Sequence, residues 1–467
     1  MGRRAREDRA LPKPKIVVTG MCNTKGPEIR HLAGAVADAG GEPVVMDLSL
    51  GAAVDWADVS LHEVLATTGT SVEEVFAAPR ATAIDLVGRA GAAKVLELRA
   101  DGRCDGIVSW AGAVGTTTAT MVMRALPFGV PKIMLTDMAS SDVSVWLGTK
   151  DIYIVNPTAE HGINVVTRKA VANAAAGIVA MARVPEVPAG SRPLCALTSY
   201  GSTTPCVLRC TSFMEARGWD TAGFHAVGAG ATMEDLIRSG LITALIDITL
   251  GELTNTIVGS PWGIPRGWDG RRLTAAGAMG IPQVVVPGGL DQCAHGALER
   301  VPQEYLDDTK AERRRSFRGT GTPYRHNEGV TILAPTLDEI ASISGYIAEA
   351  LSSTTGPTVF VIPMRGWSAY DQPAEAATRE RGWAEGNGDG PCWEPDPETP
   401  RWSRRATLMR RIVAERMDAT NDDLDVVAAD MHILDAEFAD LLCRCMGDML
   451  DGRWRKGLYR DAPGVLA

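Results

Sequence analysis

The chain lacks any apolar run near the ~20 residues that a bilayer-spanning helix needs, so no membrane segment is expected. Its nine cysteines contain no CxxC pair, and Cys443 and Cys445 are separated by a single residue, unlike zinc-ligand spacing. No structural metal is implied, and reduced core thiols are the expectation. Positive charge is not in excess: the formal net charge is −10, which excludes a general nucleic-acid binder, because phosphate contacts need a basic face. The dense basic clusters, Arg313–Arg315 with Arg318 and Arg401 with Arg404, Arg405, Arg410 and Arg411, read as solvated faces. The opening MGRRAREDRALPKPK is basic, yet no apolar stretch of signal-peptide type follows it before the first strand. Residues 1–14 therefore read as a polar leader, and a cytoplasmic location is expected. Walker, GxGxxG and GxSxG signatures are missing too, which disfavours the common P-loop, Rossmann-fingerprint and α/β-hydrolase sites.

What is present is alternation. Short apolar runs at Lys15–Thr19, Pro43–Leu48, Gly106–Trp110, Lys132–Asp137 and Asp151–Val155 are separated by helical patterns such as Glu28–Ala39, where Ile29, Leu32, Ala33 and Val36 share a face. Strand–helix–strand repetition predicts a parallel sheet covered on both faces. An alanine-rich helix near Ile163–Met181 closes this half, and residues 185–193, proline-bearing, read as a linker. The second half repeats the pattern with strands at Leu194–Ser199, Thr221–His225, Ala244–Thr249, Gln283–Val286, Val330–Ala334, Thr358–Ile362 and Asp425–Ala429. The expectation is α/β: two tandem doubly wound, Rossmann-like parallel-sheet domains, 15–184 and 194–467, facing across a cleft. Residues 367–405 break the pattern with Trp367, Trp383, Trp393 and Trp402 among turn residues, and read as a pocket lid or dimer arm.

Two glycine-rich turns follow strands and open helices. TGMCNTKGPE brings Gly20, Thr24, Lys25 and Gly26 together, and SWAGAVGTTTAT brings Gly112, Gly115, Thr116 and Thr117. Outward amides, small residues and a cation suit an anionic ligand, most simply a nucleotide. Thr116 or Thr117 equally suits a plain helix cap. A third turn, WLGTKD, ends at Asp151. In the second half His225, Glu252, His326, Arg365 and His432 stand near strand ends and form the candidate catalytic set. Histidine and glutamate move protons at neutral pH, and Arg365 suits a carboxylate or enolate oxygen. The same groups suit a divalent ion that polarises a carbonyl, and the spacing does not choose between the two.

The stretches NTKGPE, LPFGVPKIMLTDMASSDVSVWLGTKDI, YGSTTPCV, FHAVGAGATMEDLI, GIPQVVVPGGLD and MRGWSAYD carry a resemblance spanning Lys15 to Leu441. The chain is similar to a family of bacterial, fungal and plant proteins named after the N-terminal, ATP-binding inhibitor domain of the tomato mosaic virus resistance protein. The resemblance implies two α/β subdomains, dimerisation and ATP in the first subdomain. This chain departs from the family where Asn23-Thr24-Lys25 replaces Asp-Thr-Lys and AGAVGT replaces a GGSGGT-like turn through Ala111 and Val114. Ser141 replaces a common glycine, Ala334-Pro335 a usual Arg-Thr neighbourhood, and His432-Ile433-Leu434-Asp435 stands for a HIND-like motif. The nucleotide motif is thus partly eroded, while the five catalytic candidates stand in place. Two functions follow as expectations. One is an enzyme acting on a small carbonyl or carboxylate compound in the cleft, by hydrolytic or retro-aldol/retro-Claisen carbon–carbon cleavage. The other is an ATP-binding regulatory or interaction protein without chemistry of its own. A homodimer is expected in either case.

Overall fold

The computed structural model describes residues 13–185, 190, 192–265, 268, 270–306, 324–376, 390 and 392–466. The chain divides into two compact units, Met1–Ala189 and Gly190–Ala467.

The first unit holds β1 (Lys15–Gly20), β2 (Glu42–Asp47), β3 (Gly106–Trp110), β4 (Lys132–Leu135) and β5 (Tyr153–Val155) in one parallel sheet of order β2-β1-β3-β4-β5. β1 and β3 are buried almost throughout, which is why their sequences are continuous apolar runs rather than alternating ones. The helix Gly26–Asp38 buries Ile29, Leu32, Ala33 and Val36 against this sheet, the face expected from their spacing. Fully burying one such aliphatic side chain contributes roughly 1.5–3 kcal/mol. The helix Val165–Ala182 begins with a reciprocal cap between Asn164 and Thr167 and buries Val171, Ala174, Ala175, Ile178 and Val179 on the same layer. By length and composition it is the one helix among the described residues that reaches the membrane-span threshold, and its buried face packs on the sheet.

The second unit holds β6 (Leu194–Ser199), β7 (Asp220–His225), β8 (Ala244–Thr249), β9 (Gln283–Gly288), β10 (Cys293–His295), β11 (Tyr324–Asn327), β12 (Val330–Leu333), β13 (Thr358–Pro363) and β14 (Leu424–Ala429). Six of these form a parallel sheet of order β14-β13-β9-β8-β6-β7, and β10-β12-β11 form a separate antiparallel sheet. The Val330 run was expected in the parallel sheet and is not there. An apolar run of that length reads the same in either kind of ladder, and here both its neighbours run antiparallel to it.

Each parallel sheet places its first strand between the second and the third. The chain therefore reverses direction across β1/β3 in one unit and β6/β8 in the other, and such switch points open a crevice at the carboxyl ends of the strands. Of the tryptophan-rich stretch, Trp367 is fully buried in the second core, Trp402 donates from Nε1 to Asp430 at 2.8 Å, and Trp383 lies outside the described residues. All nine cysteines are buried and free of disulfides.

Candidate functional site

The carboxyl end of the second sheet carries a cavity of about 500 Å³. Tyr200, Gly201 and Ser202 enter it from the end of β6, His225 and Val227 from the end of β7, and Trp262 from the loop after the helix Gly251–Val258. Gln292 and Ala294, then His326, Val330 and Ile332 of the small sheet, and Tyr370 beyond β13 complete the wall. Size and an aromatic, aliphatic wall with few convergent polar groups are the usual properties of a small-molecule site.

Tyr200 is the fixed wall. A side chain on Gly251 would collide with its ring, and one on Gly289, at φ +70°, would lie 2.9 Å from it, so these two glycines admit the ring across the β6/β8 switch. The Tyr200 hydroxyl donates to the Ala226 carbonyl at 2.6 Å and accepts from Asn255 Nδ2 at 3.3 Å. Burial pushes its pKa well above the ordinary tyrosine value, so it stays protonated. The His225 ring stands 5.5 Å from the Tyr200 ring, centroid to centroid. Desolvation lowers the His225 pKa below the ordinary histidine value, which leaves the imidazole neutral at pH 7. His326 Nδ1 lies 3.3 Å from the Tyr370 hydroxyl. Gln292 Nε2 donates to Ser202 Oγ at 2.7 Å. The first amides of the helical turn Gly201–Thr203, which runs on into the helix Thr204–Ala216, have no intrahelical acceptor and face the same end.

Tyr370 is held from behind by two buried carboxyls. Asp291 Oδ2 accepts from Ser368 Oγ at 2.6 Å, and Ser368 Oγ accepts from the Tyr370 amide at 3.0 Å. Asp371 accepts from the Trp367 amide at 3.2 Å and from Ser403 Oγ at 3.1 Å. The loop 367–372 is thereby pinned on both sides.

Of the five residues expected to be catalytic, the structure brings only His225 and His326 to the cavity. Glu252 is fully buried against Arg272, and its second oxygen takes the Gly230 amide at 3.2 Å. His432 is buried, its Nδ1 accepting from the Leu434 amide at 3.1 Å and its Nε2 3.1 Å from the Asp371 carbonyl, so both nitrogens are committed. Arg365 is partly exposed and paired with Asp430 at 2.9 Å. Among the described residues no group of three or more His, Cys, Asp or Glu side chains is arranged to hold a metal ion. Tyr200, Ser202, Trp262, Gln292 and Tyr370 were not expected. Tyr200, Ser202 and Tyr370 lie within YGSTTPCV and MRGWSAYD, and those distinctive stretches were the available signal.

In the first unit the two glycine turns do meet at the β1/β3 switch. Lys25 is only 6% exposed, and its Nζ donates to the Glu160 carbonyl at 2.5 Å and to His161 Nδ1 at 2.8 Å. Gly112 is the N-cap residue of the helix Ala113–Ala125 and supplies no side-chain cap. Gly115 sits against Ala111 and Met21, where a methyl group would lie 2.6 Å from Ala111 Cβ. Thr116 Oγ1 lies 2.9 Å from the Gly112 carbonyl and 2.8 Å from Thr136 Oγ1, while Thr117 Oγ1 donates to the Ala113 carbonyl at 3.0 Å and accepts from Trp146 Nε1 at 3.1 Å, so both hydroxyls are engaged within the unit. Thr24 is exposed on its turn. Asp151 does not join this group. It precedes β5, at the amino edge of the sheet, and neutralises the buried Lys132 at 2.7 Å while taking the Gly129 amide at 2.8 Å.

Comparison with other proteins agrees with two halves. Residues 14–187 match the N-terminal domain, and residues 192–382 the C-terminal domain, of an uncharacterised protein family, UPF0261. A UPF0261 protein of Clostridium tetani is 35% identical over 367 residues, covering 77% of this chain and 86% of that protein. One from Rhizobium meliloti is 36% identical over 360 residues, covering 76% and 85% respectively. The ToMV resistance protein Tm-1(GCR237) of Solanum lycopersicum is 26% identical over 455 residues, which is 92% of this chain but 55% of the tomato protein. Matches to both domain types, in order and spanning most of its length, make this chain a member of the UPF0261 family.

Proposed function

We propose that the second unit is an enzyme acting on a small carbonyl or carboxylate compound, with the 500 Å³ cavity as its active site. The observation that carries this reading is the pair of imidazoles, His225 and His326, on the wall of a cavity at the carboxyl edge of the sheet. A neutral His225 is fit to take a proton from water or from the substrate. His326 Nδ1 pairs with the Tyr370 hydroxyl, and in the tautomer with the ring proton on Nε2 the imidazole suits donation to a carbonyl oxygen. The amides of Gly201 and Ser202 add an oxyanion-stabilising end. In a hydrolytic carbon–carbon or acyl cleavage, His225 takes the proton of water as its oxygen adds to the carbonyl carbon. The oxyanion then collapses, and the departing carbon or oxygen takes that proton. Glu252, Arg365 and His432 have no part in this scheme, being engaged elsewhere.

The test is a panel of 3-oxo acids and acyl esters offered to the purified protein, with product detection. His225→Ala is expected to cut turnover roughly 10²–10⁴-fold without a change in melting temperature. Turnover that survives the substitution rejects His225 as the base.

A second reading is favoured by Lys25, a buried cation at the other switch point: the first unit holds a phosphate-type anion, ATP being the expected form. Saturating ligand, at about 100 times its dissociation constant, stabilises a native state by roughly 2.7 kcal/mol. A thermal-shift comparison of ATP with 3-oxo acids therefore separates the two readings, and they are not exclusive.

A further inference from the structure

The Lys25 ammonium is buried, yet its two partners, a carbonyl oxygen and an imidazole nitrogen, are both neutral. Among the described residues it makes no ion pair with a carboxylate, unlike the buried Lys132 with Asp151. A buried cation without a counter-charge is costly, and it implies that an anion comes to it.

One carboxylate already waits nearby. Because the Lys25 ammonium can only donate, His161 Nδ1 must accept, which puts the ring proton on Nε2, and Nε2 faces Glu160 Oε1 at 3.3 Å. The Glu160 carboxylate in turn lies over Gly112, where a methyl group would sit 2.7 Å from Oε1. It thus stands at the uncapped start of the helix Ala113–Ala125, between the two glycine turns. The segment is a closed turn, with Thr158 at φ +69° and Gly162 at φ +86°, fastened by the Gly162 amide to Glu28 Oε1 at 3.2 Å. The side chains of Glu160 and His161 remain 45% and 69% exposed, so the turn covers the site from outside rather than forming part of the core.

We infer that Glu160 is a built-in stand-in for the anionic group of the first unit's ligand. A phosphate-type oxyanion takes its place beside Gly112 and becomes the counter-ion of Lys25, and the turn 158–162 swings away to admit it. The inference rests on the anion-site reading above. The closed turn lowers the apparent affinity by the fraction of molecules in which it is shut, so loosening it tightens binding without touching the ligand's own contacts.

Titration calorimetry on the full chain, with inorganic pyrophosphate and ATP in parallel arms, tests this with Glu160→Gln and His161→Ala. Both variants are expected to bind roughly tenfold more tightly than the wild type in the arm that binds, with melting temperatures unchanged. His161→Ala removes no carboxylate, so tightening in that variant reports release of the turn and not relief of charge repulsion. Tightening in Glu160→Gln alone overturns the stand-in role, as does equal binding in all three proteins. Binding of neither probe by any of the three overturns the anion-site reading itself.

Discussion

Replacing Arg272 by methionine is expected to lower the stability of the second unit by roughly 3–5 kcal/mol. Arg272 is fully buried among three buried carboxylates, and a second cation, the partly exposed Arg238, reaches only Glu234 of the three, at 3.7 Å. Arg272 reaches Glu234 at 3.1 Å and Asp247 at 2.9 and 3.1 Å, and it donates from Nε to Glu252. The remaining carboxylate lone pairs are also occupied: the Leu273 and Ala275 amides bind Glu234 at 2.6 and 2.7 Å, and the Thr198 hydroxyl binds Asp247 at 2.7 Å. Without the guanidinium these charges have nowhere to go but protonation. Burial already pushes the Glu234 pKa up, with Arg272 opposing that rise. Removing Arg272 raises the folded-state pKa of Glu234 further above its unfolded value. The variant's deficit should therefore be larger at pH 8 than at pH 5, because protonated carboxyls tolerate burial. Urea unfolding at both pH values measures it, and a deficit under about 1 kcal/mol at each would show that the cluster is not what holds this end of the sheet.

The second large effect is expected from the carboxyls behind Tyr370. Burial raises Asp291 to about 6, and burial together with the charge of Asp291 raises Asp371 to about 8. The groups facing the pair are Arg405, whose charge favours ionisation, the Cys392 thiol and the committed ring of His432. Both folded-state values exceed the ordinary carboxyl value, so the folded chain binds the extra protons. The stabilisation is complete below about pH 4 and is lost as pH rises through 6 and then 8. A loss on the order of 5 kcal/mol between pH 5 and pH 9 is expected for the wild type. Asp371→Asn keeps the acceptor for the Trp367 amide and removes one of the two charges, so its stability should be much flatter over that range. Parallel, equally steep curves for the two proteins would dismiss Asp371 as a source of the pH dependence.

The fold was legible because strands buried on both faces cannot hide their continuous apolar runs: KIVVT and GIVSW announce a parallel layer without help from context. The small antiparallel sheet was not, since Cys293–His295 has only three residues and no pattern of its own. The site was half legible. His225 and His326 carry a titratable signature that sequence reasoning can weigh, whereas Tyr200 and Trp262 look like any core aromatic until the strand ends converge. Glu252 misled for a physical reason. Its partner Arg272 is separated from it by 20 residues, and no local pattern tells a carboxylate aimed at a ligand from one aimed at a buried guanidinium.

β7 pairs on one side only, and Asp220, Gly223 and His225 along it are exposed. A margin of this kind frays before the middle of the sheet does, since few contacts resist local opening there. The imidazole assigned as base thus hangs on the most easily loosened edge of its layer. Warming should silence the protein before it melts, and amide exchange at Gly223 and Phe224, faster than at Ile246 in the centre, would mark where the silence begins.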